Sequence, residues 1–142
     1  MMAVRAFVDT NVFVYLYSRD NPAKNQAARK LLLDDDFDLV ISTQVLNEFY
    51  VTVTRKIADP LSAADAAEAV AGLAELEVVP LTRNLALDAL RTGSRHQLSH
   101  WDSLIVEAAS RSGCETLFSE DLAAGSTLRG VAITNPFVPS MG

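Results

Sequence analysis

The sequence predicts an α/β fold, with a central, mainly parallel sheet of about five strands and helices on both faces. Two observations carry this. Short apolar runs rich in β-branched and aromatic residues alternate with longer segments of helical period, the pattern of repeated βα units. The chain has 142 residues, about one domain's length, so residues 1–142 are expected to form a single domain. A composition of 49% hydrophobic and 21% charged residues matches globular averages and excludes disorder, collagen-like repeats and coiled coil.

The elements follow in order. Val4 to Val8 reads as a buried strand that ends at Asp-Thr-Asn, which puts Asp9 at its C-terminal end. Asn21-Pro22 marks a helix start, and Ala27, Ala28, Leu31 and Leu32 keep helical spacing up to the solvated turn Asp34-Asp35-Asp36. Leu39-Val40-Ile41 is a second strand. Ser42 or Thr43 then caps a helix carrying Val45, Leu46, Phe49, Val53 and Ile57, which Pro60 ends. Ser62 to Leu76 is an alanine-rich helix, and Glu77 to Leu81 a third strand. Thr82 opens a helix through Leu90 that Gly93-Ser94 interrupts. Ser99 to Ser112 is a helix with Ile105, Ala108 and Ala109 on one side and Gly113 as its stop. Thr116-Leu117-Phe118 and Val131-Ala132-Ile133 are the last two strands.

Charge and cysteine usage narrow the function. The net charge of −6 is opposite to the footprint of a protein that holds nucleic acid by neutralising phosphates, so any action on nucleic acid needs another source of positive charge. The single cysteine, Cys114, excludes an internal disulfide and a cysteine-based zinc site, and fits the cytoplasm. Arg5, Asp9 and Asn11 interrupt the apolar N-terminal stretch, which therefore reads as neither signal peptide nor membrane span.

In parallel α/β sheets ligands bind beyond the carboxyl ends of the strands. Asp9 and Asp121 follow two strands, Glu48 lies on the helix after the second, and Asp102 opens the helix from Ser99. Each has an ordinary reading: Asp9 as an N-cap, Glu48 as a surface acid near Arg55, Asp102 as part of a capping box with Ser99, Asp121 as a helix-start acid. Together they are acids that three βα edges and a flanking helix can bring to one place. Oxygen ligands without histidine or cysteine suit Mg²⁺ or Mn²⁺, and such ions can activate water for phosphodiester cleavage.

Phe7-Val8-Asp9-Thr10-Asn11-Val12, the Glu48 helix, His100-Trp101-Asp102-Ser103-Leu104-Ile105 and Leu117-Phe118-Ser119-Glu120-Asp121-Leu122 resemble, in order and spacing, the motifs of PIN-domain nucleases. The resemblance is to VapC-like toxins of toxin–antitoxin systems and runs from Val4 to Asn135-Pro136-Phe137. It implies a PIN-like fold and a Mg²⁺- or Mn²⁺-dependent endoribonuclease acting on RNA, often a homodimer, inhibited by a cognate antitoxin protein. It also implies that Asp9, Glu48, Asp102 and Asp121 bind the metal, while Asn11 and Ser119 orient water or the acids. Glu120 adjoins Asp121 and competes for the last position, which the spacing from Ser119 gives to Asp121. A catalytically silent module of the same fold and a stand-alone RNA-processing nuclease are the alternatives.

Other features are read more plainly. His96 and His100 have a zinc-compatible spacing but straddle a helix start without a third ligand. Trp101 reads as core, with base stacking as its other reading. Phe49, Tyr15, Tyr17 and Tyr50 read as core or dimer contacts, and Arg83, Arg91 and Arg95 as a solvated basic face.

Overall fold

Ala6, Phe7 and Val8 in β1 (Val4–Val8) are all fully buried. Successive strand residues point to opposite faces, so this unbroken burial means that both faces of the sheet are covered. β2 (Phe37–Ser42) runs parallel to β1 on one side, with Val4 opposite Phe37. β4 (Thr116–Phe118) runs parallel to it on the other, with Val8 opposite Phe118. β3 (Glu77–Val79) lies parallel beyond β2, and β6 (Val131–Thr134) parallel beyond β4.

Among residues 3–138, which the computed structural model describes, the sheet has six strands in the order β3-β2-β1-β4-β6-β5. The strand beyond the expected five is β5 (Thr127–Leu128), antiparallel to β6. Arg129 (φ 52°) and Gly130 (φ 80°) join the two strands, and positive φ at both central residues is what a type I′ hairpin turn requires. Two residues are too few for periodicity to register, and Arg-Gly is not one of the usual hairpin pairs.

The helices are α1 (Thr10–Val14), α2 (Pro22–Leu32), α3 (Thr43–Arg55), α4 (Ala63–Leu73), α5 (Arg83–His96) and α6 (His100–Arg111). Side-chain oxygens of Asn21, Ser42, Ser62, Thr82 and Ser99 cap the last five of these by accepting from a backbone N–H in the first turn. Phe49 and Val53 of α3 and Ile105, Ala108 and Ala109 of α6 are buried, and α6 packs against β2, β4 and β6. No helix among the described residues is long and apolar enough to cross a membrane.

Gly93-Ser94 does not interrupt α5, contrary to the sequence-based expectation. The helix continues to His96 and ends at Gln97, whose φ is 56°. A Cβ on Gly93 would lie 2.7 Å from Ser103 Oγ on α6, so glycine is present because the two helices approach closely there.

One acid was not anticipated. Glu107 of α6 is 1% exposed, accepts from Arg129 Nε at 2.9 Å and from the Thr92 hydroxyl, and leaves Oε2 without a hydrogen bond among the described residues.

Candidate active site

The chain passes from β1 to β2 on one side, while β4 lies on the other. The carboxyl ends of β1 and β4 therefore flank a topological switch point, where such sheets form a crevice. Asp9 stands there, 7% exposed, with its backbone N–H continuing the ladder to Phe118 O at 3.0 Å. Its Oδ1 accepts from Thr10 N at 2.8 Å and caps α1, and its Oδ2 accepts from Ser119 Oγ at 2.8 Å. Capping and membership of an acid cluster thus coexist in this residue.

Glu48 faces the same crevice from α3. Its Oε2 accepts from Thr10 Oγ1 at 3.0 Å and its Oε1 from Gln44 Nε2 at 2.8 Å. The same Gln44 nitrogen donates to Trp101 O at 3.1 Å, which ties α3 to the first turn of α6. Ser99 Oγ caps α6 through Asp102 N at 3.1 Å, whereas the Asp102 carboxylate accepts no hydrogen bond among the described residues. Asp102 is therefore only half of a capping box, and its charge is free to face the cavity.

Past β4, Ser119 is fully buried and its hydroxyl accepts from Asp121 N at 3.2 Å. Asn11 Nδ2 donates to Asp121 Oδ2 at 3.0 Å. The neighbouring Glu120 turns to Lys24, 2.7 Å away, and to the Tyr15 hydroxyl. Of the two adjacent acids it is Asp121 that lines the cavity.

Asp9, Asn11, Glu48, Asp102 and Asp121 line one cavity of about 700 Å³, with Ser119 behind its wall. No arginine or lysine among the described residues pairs with any of these acids. Burial raises the Asp9 pKa from 3.8 to about 6 against the opposing hydrogen bonds from Ser119 and Thr10, with Asp121 and Glu48 adding repulsion. Burial also raises Asp121, helped by Glu120, Asp102 and Glu48 and opposed by Lys24. The donor set is all oxygen, anionic and uncompensated, which fits a hard divalent cation. No three such side chains among the described residues form a ready-made cage, because Asp9 and Glu48 are turned onto the protein's own donors.

Sequence reasoning missed Thr10 and Gln44. Gln44 carried a usable signal, since it sits four residues before Glu48 on one helix face. Trp101 is not core: it is 62% exposed and lines the cavity beside Asp102. Of the aromatics read as core or contacts, Phe49 is buried, while Tyr17 and Tyr50 reach the surface. Arg83, Arg91 and Arg95 are exposed and lie outside the cavity.

The PIN domain family model matches residues 6–124. No curated protein sequence matches the chain. Among solved structures the chain resembles Mycobacterium tuberculosis VapC20, described as a toxin that cleaves the sarcin–ricin loop. The TM-score is 0.66 at 22% identity, over 82% of this chain and 91% of that one. It resembles FitAcB from Neisseria gonorrhoeae with a TM-score of 0.61 at 17% identity, over 93% of this chain and 98% of that one. It also resembles VapBC2 from Rickettsia felis, bound to a fragment of its promoter DNA, with a TM-score of 0.64 at 17% identity and the same coverage, 93% and 98%. At these identities the likeness is one of fold.

Proposed function

The chain belongs to the PIN domain family of nucleases, and on that premise we propose that it is a divalent-metal-dependent endoribonuclease, the toxin of a toxin–antitoxin pair. The observation that carries the proposal is the gathering of Asp9, Glu48, Asp102 and Asp121 around one cavity without a basic partner. The fold likeness to a toxin and to toxin–antitoxin complexes supports an antitoxin protein as the partner.

In this reading the four carboxylates would hold Mg²⁺ or Mn²⁺, Asp102 from its free position and Asp9, Glu48 and Asp121 after rotating from their present hydrogen bonds. Bound there, the ion supplies activation of water and charge stabilisation at the leaving oxygen of an RNA phosphodiester. Thr10 and Gln44 aim Glu48, Ser119 aims Asp9, and Asn11 aims Asp121. Such outer partners set ligand orientation and commonly contribute 10- to 100-fold to metal affinity. Burial raises the pKa of metal-free Asp9 to about 6, and it must ionise to hold the ion, so metal affinity should weaken as pH falls through that value. The acid cavity and the net charge of −6 repel phosphate, so RNA is held weakly until metal is bound.

The test is cleavage of structured and unstructured RNAs by purified protein in Mn²⁺, in Mg²⁺ and in EDTA, with Asp9→Asn and Asp102→Asn alongside. Metal-dependent scission lost in both variants is expected. Scission that survives EDTA, or full activity in either variant with contaminating nuclease excluded, overturns the proposal. One observation favours a catalytically silent binding module instead: all four oxygens of Asp9 and Glu48 are already engaged by protein donors. That reading requires melting temperatures indifferent to millimolar Mn²⁺.

A further inference from the structure

The cavity that holds the acids does not end with them. It continues along α3 through Val51 and Thr52 to Lys56 at the helix C-cap, and Trp101 also lines it. Trp101 is 62% exposed, so its indole is accessible to a ligand in the cavity. Its backbone is fixed by Gln44 at 3.1 Å, and His100 meets the indole edge-on with ring centroids 5.5 Å apart. The first turn of α6 thus brings an exposed indole and the Asp102 side chain to the same cavity.

Lys56 is the one cationic side chain lining this cavity, and it pairs with no acid among the described residues. It lies eight residues beyond Glu48, about 12 Å along α3 at 1.5 Å per residue. Gln44, which anchors Trp101, precedes Glu48 by one turn of α3 and Lys56 follows it by about two, so the acids lie between an aromatic side chain and a cation. An aromatic platform with a basic contact further along is what a single nucleic-acid strand needs, since every base has a face to stack and every linkage a charge to neutralise.

We propose that Trp101 is the stacking platform for a base next to the bond that is cut, and that Lys56 holds a backbone phosphate a few nucleotides away. The proposal rests on the nuclease reading and adds the residues that engage the strand outside the acids. The occupant is an RNA strand whose base at Trp101 is unpaired, because a base inside a duplex cannot offer its face to an indole on the cavity wall.

Trp101 is the only tryptophan in the chain, so its fluorescence reports this contact without any cleavage assay. Wild-type protein, with Ca²⁺ replacing Mg²⁺ to slow cleavage while still offering a cation to the oxygen ligands, is titrated with a short single-stranded RNA, with the same RNA carrying abasic sites, and with a duplex. Quenching by the intact single strand only is expected. Under the same conditions Trp101→Phe keeps the affinity, while Trp101→Ala weakens Kd about 5- to 150-fold, the range for losing one base–aromatic stack. Lys56→Gln lowers the slope of log K against log salt by about 0.7 and leaves the quenching in place.

Undetectable RNA binding, binding with unchanged fluorescence, equal quenching by the abasic strand, or an Ala variant that binds as tightly as its parent overturns the proposal. So does an indole signal that responds only to a partner polypeptide or to dilution of a dimer. Failure of the nuclease reading is seen separately, as wild-type protein that cuts no RNA in Mn²⁺.

Discussion

Ser119 Oγ donates to Asp9 Oδ2 at 2.8 Å from a fully buried position and also accepts from Asp121 N at 3.2 Å. One hydroxyl thereby sets the orientation of an acid after β1 and the backbone of an acid after β4. Ser119→Ala leaves a buried N–H without its acceptor and Asp9 without a donor, a loss of about 1–3 kcal/mol. The expected fall in melting temperature is roughly 3–9 °C. Because this hydrogen bond holds the pKa of metal-free Asp9 down, the pH above which Mn²⁺ stabilises the fold should also move upward in the variant.

Asp9 itself makes stability depend on pH. Its folded pKa of about 6 lies above its ordinary 3.8, so its contribution favours folding fully below about pH 4 and is lost as pH rises through 6. Ionised Asp9 then weakens the metal-free fold at neutral pH by on the order of 3 kcal/mol, against about 1 kcal/mol for a hydrogen bond disturbed by substitution. Asp9→Asn should therefore melt about 5 °C above wild type in EDTA near pH 7.5 and no higher near pH 4. Scanning calorimetry at the two pH values checks this.

Metal should reverse that order. Millimolar Mn²⁺ should raise the wild-type melting temperature through preferential binding to the folded state, with a smaller rise for Asp9→Asn. Equal shifts in the two proteins would remove Asp9 from the metal site.

The outer partner of Glu48 offers a test in which no carboxylate changes. Thr10→Val keeps the side-chain shape and removes the 3.0 Å donor to Glu48 Oε2. Metal affinity, read by isothermal titration, should fall about 10- to 100-fold, with kcat at saturating metal nearer to wild type.

Much of this site is legible from local signals, because strand ends and helix caps are local. Asp9 is legible from the apolar run before it, and Asp102 from Ser99 three residues earlier. Asn11 and Ser119, read through a family resemblance, make the contacts to Asp121 and Asp9 described above. What stayed hidden depends on neighbours distant in sequence. Thr10 meets Glu48 across 38 positions, and Gln44 meets Trp101 across 57. Glu107 looks like a surface acid until the β5–β6 turn brings Arg129 against it. Gly93 reads as a helix breaker because nothing local announces that α6 crosses there.

That crossing can be tested by a paired substitution. Gly93→Ala adds a methyl group 2.7 Å from Ser103 Oγ, and overpacking of this kind costs about 1–3 kcal/mol. The gain in helix propensity, at most about 1 kcal/mol, offsets only part of it. Urea unfolding should show a net loss, and Ser103→Ala in the same chain should restore most of it by removing the obstructing oxygen.

The two outermost strands are the shortest of the sheet except for one of equal length: β3 has three residues and β5 two. Their margins present few unsatisfied backbone groups, which is how natural sheets resist templating the strands of another chain. Growth of this sheet into aggregates by strand addition is thereby disfavoured at both ends. Most of the surface offered to other molecules is therefore side chains on helices and loops, where ordinary substitutions can change what binds without reshaping the backbone.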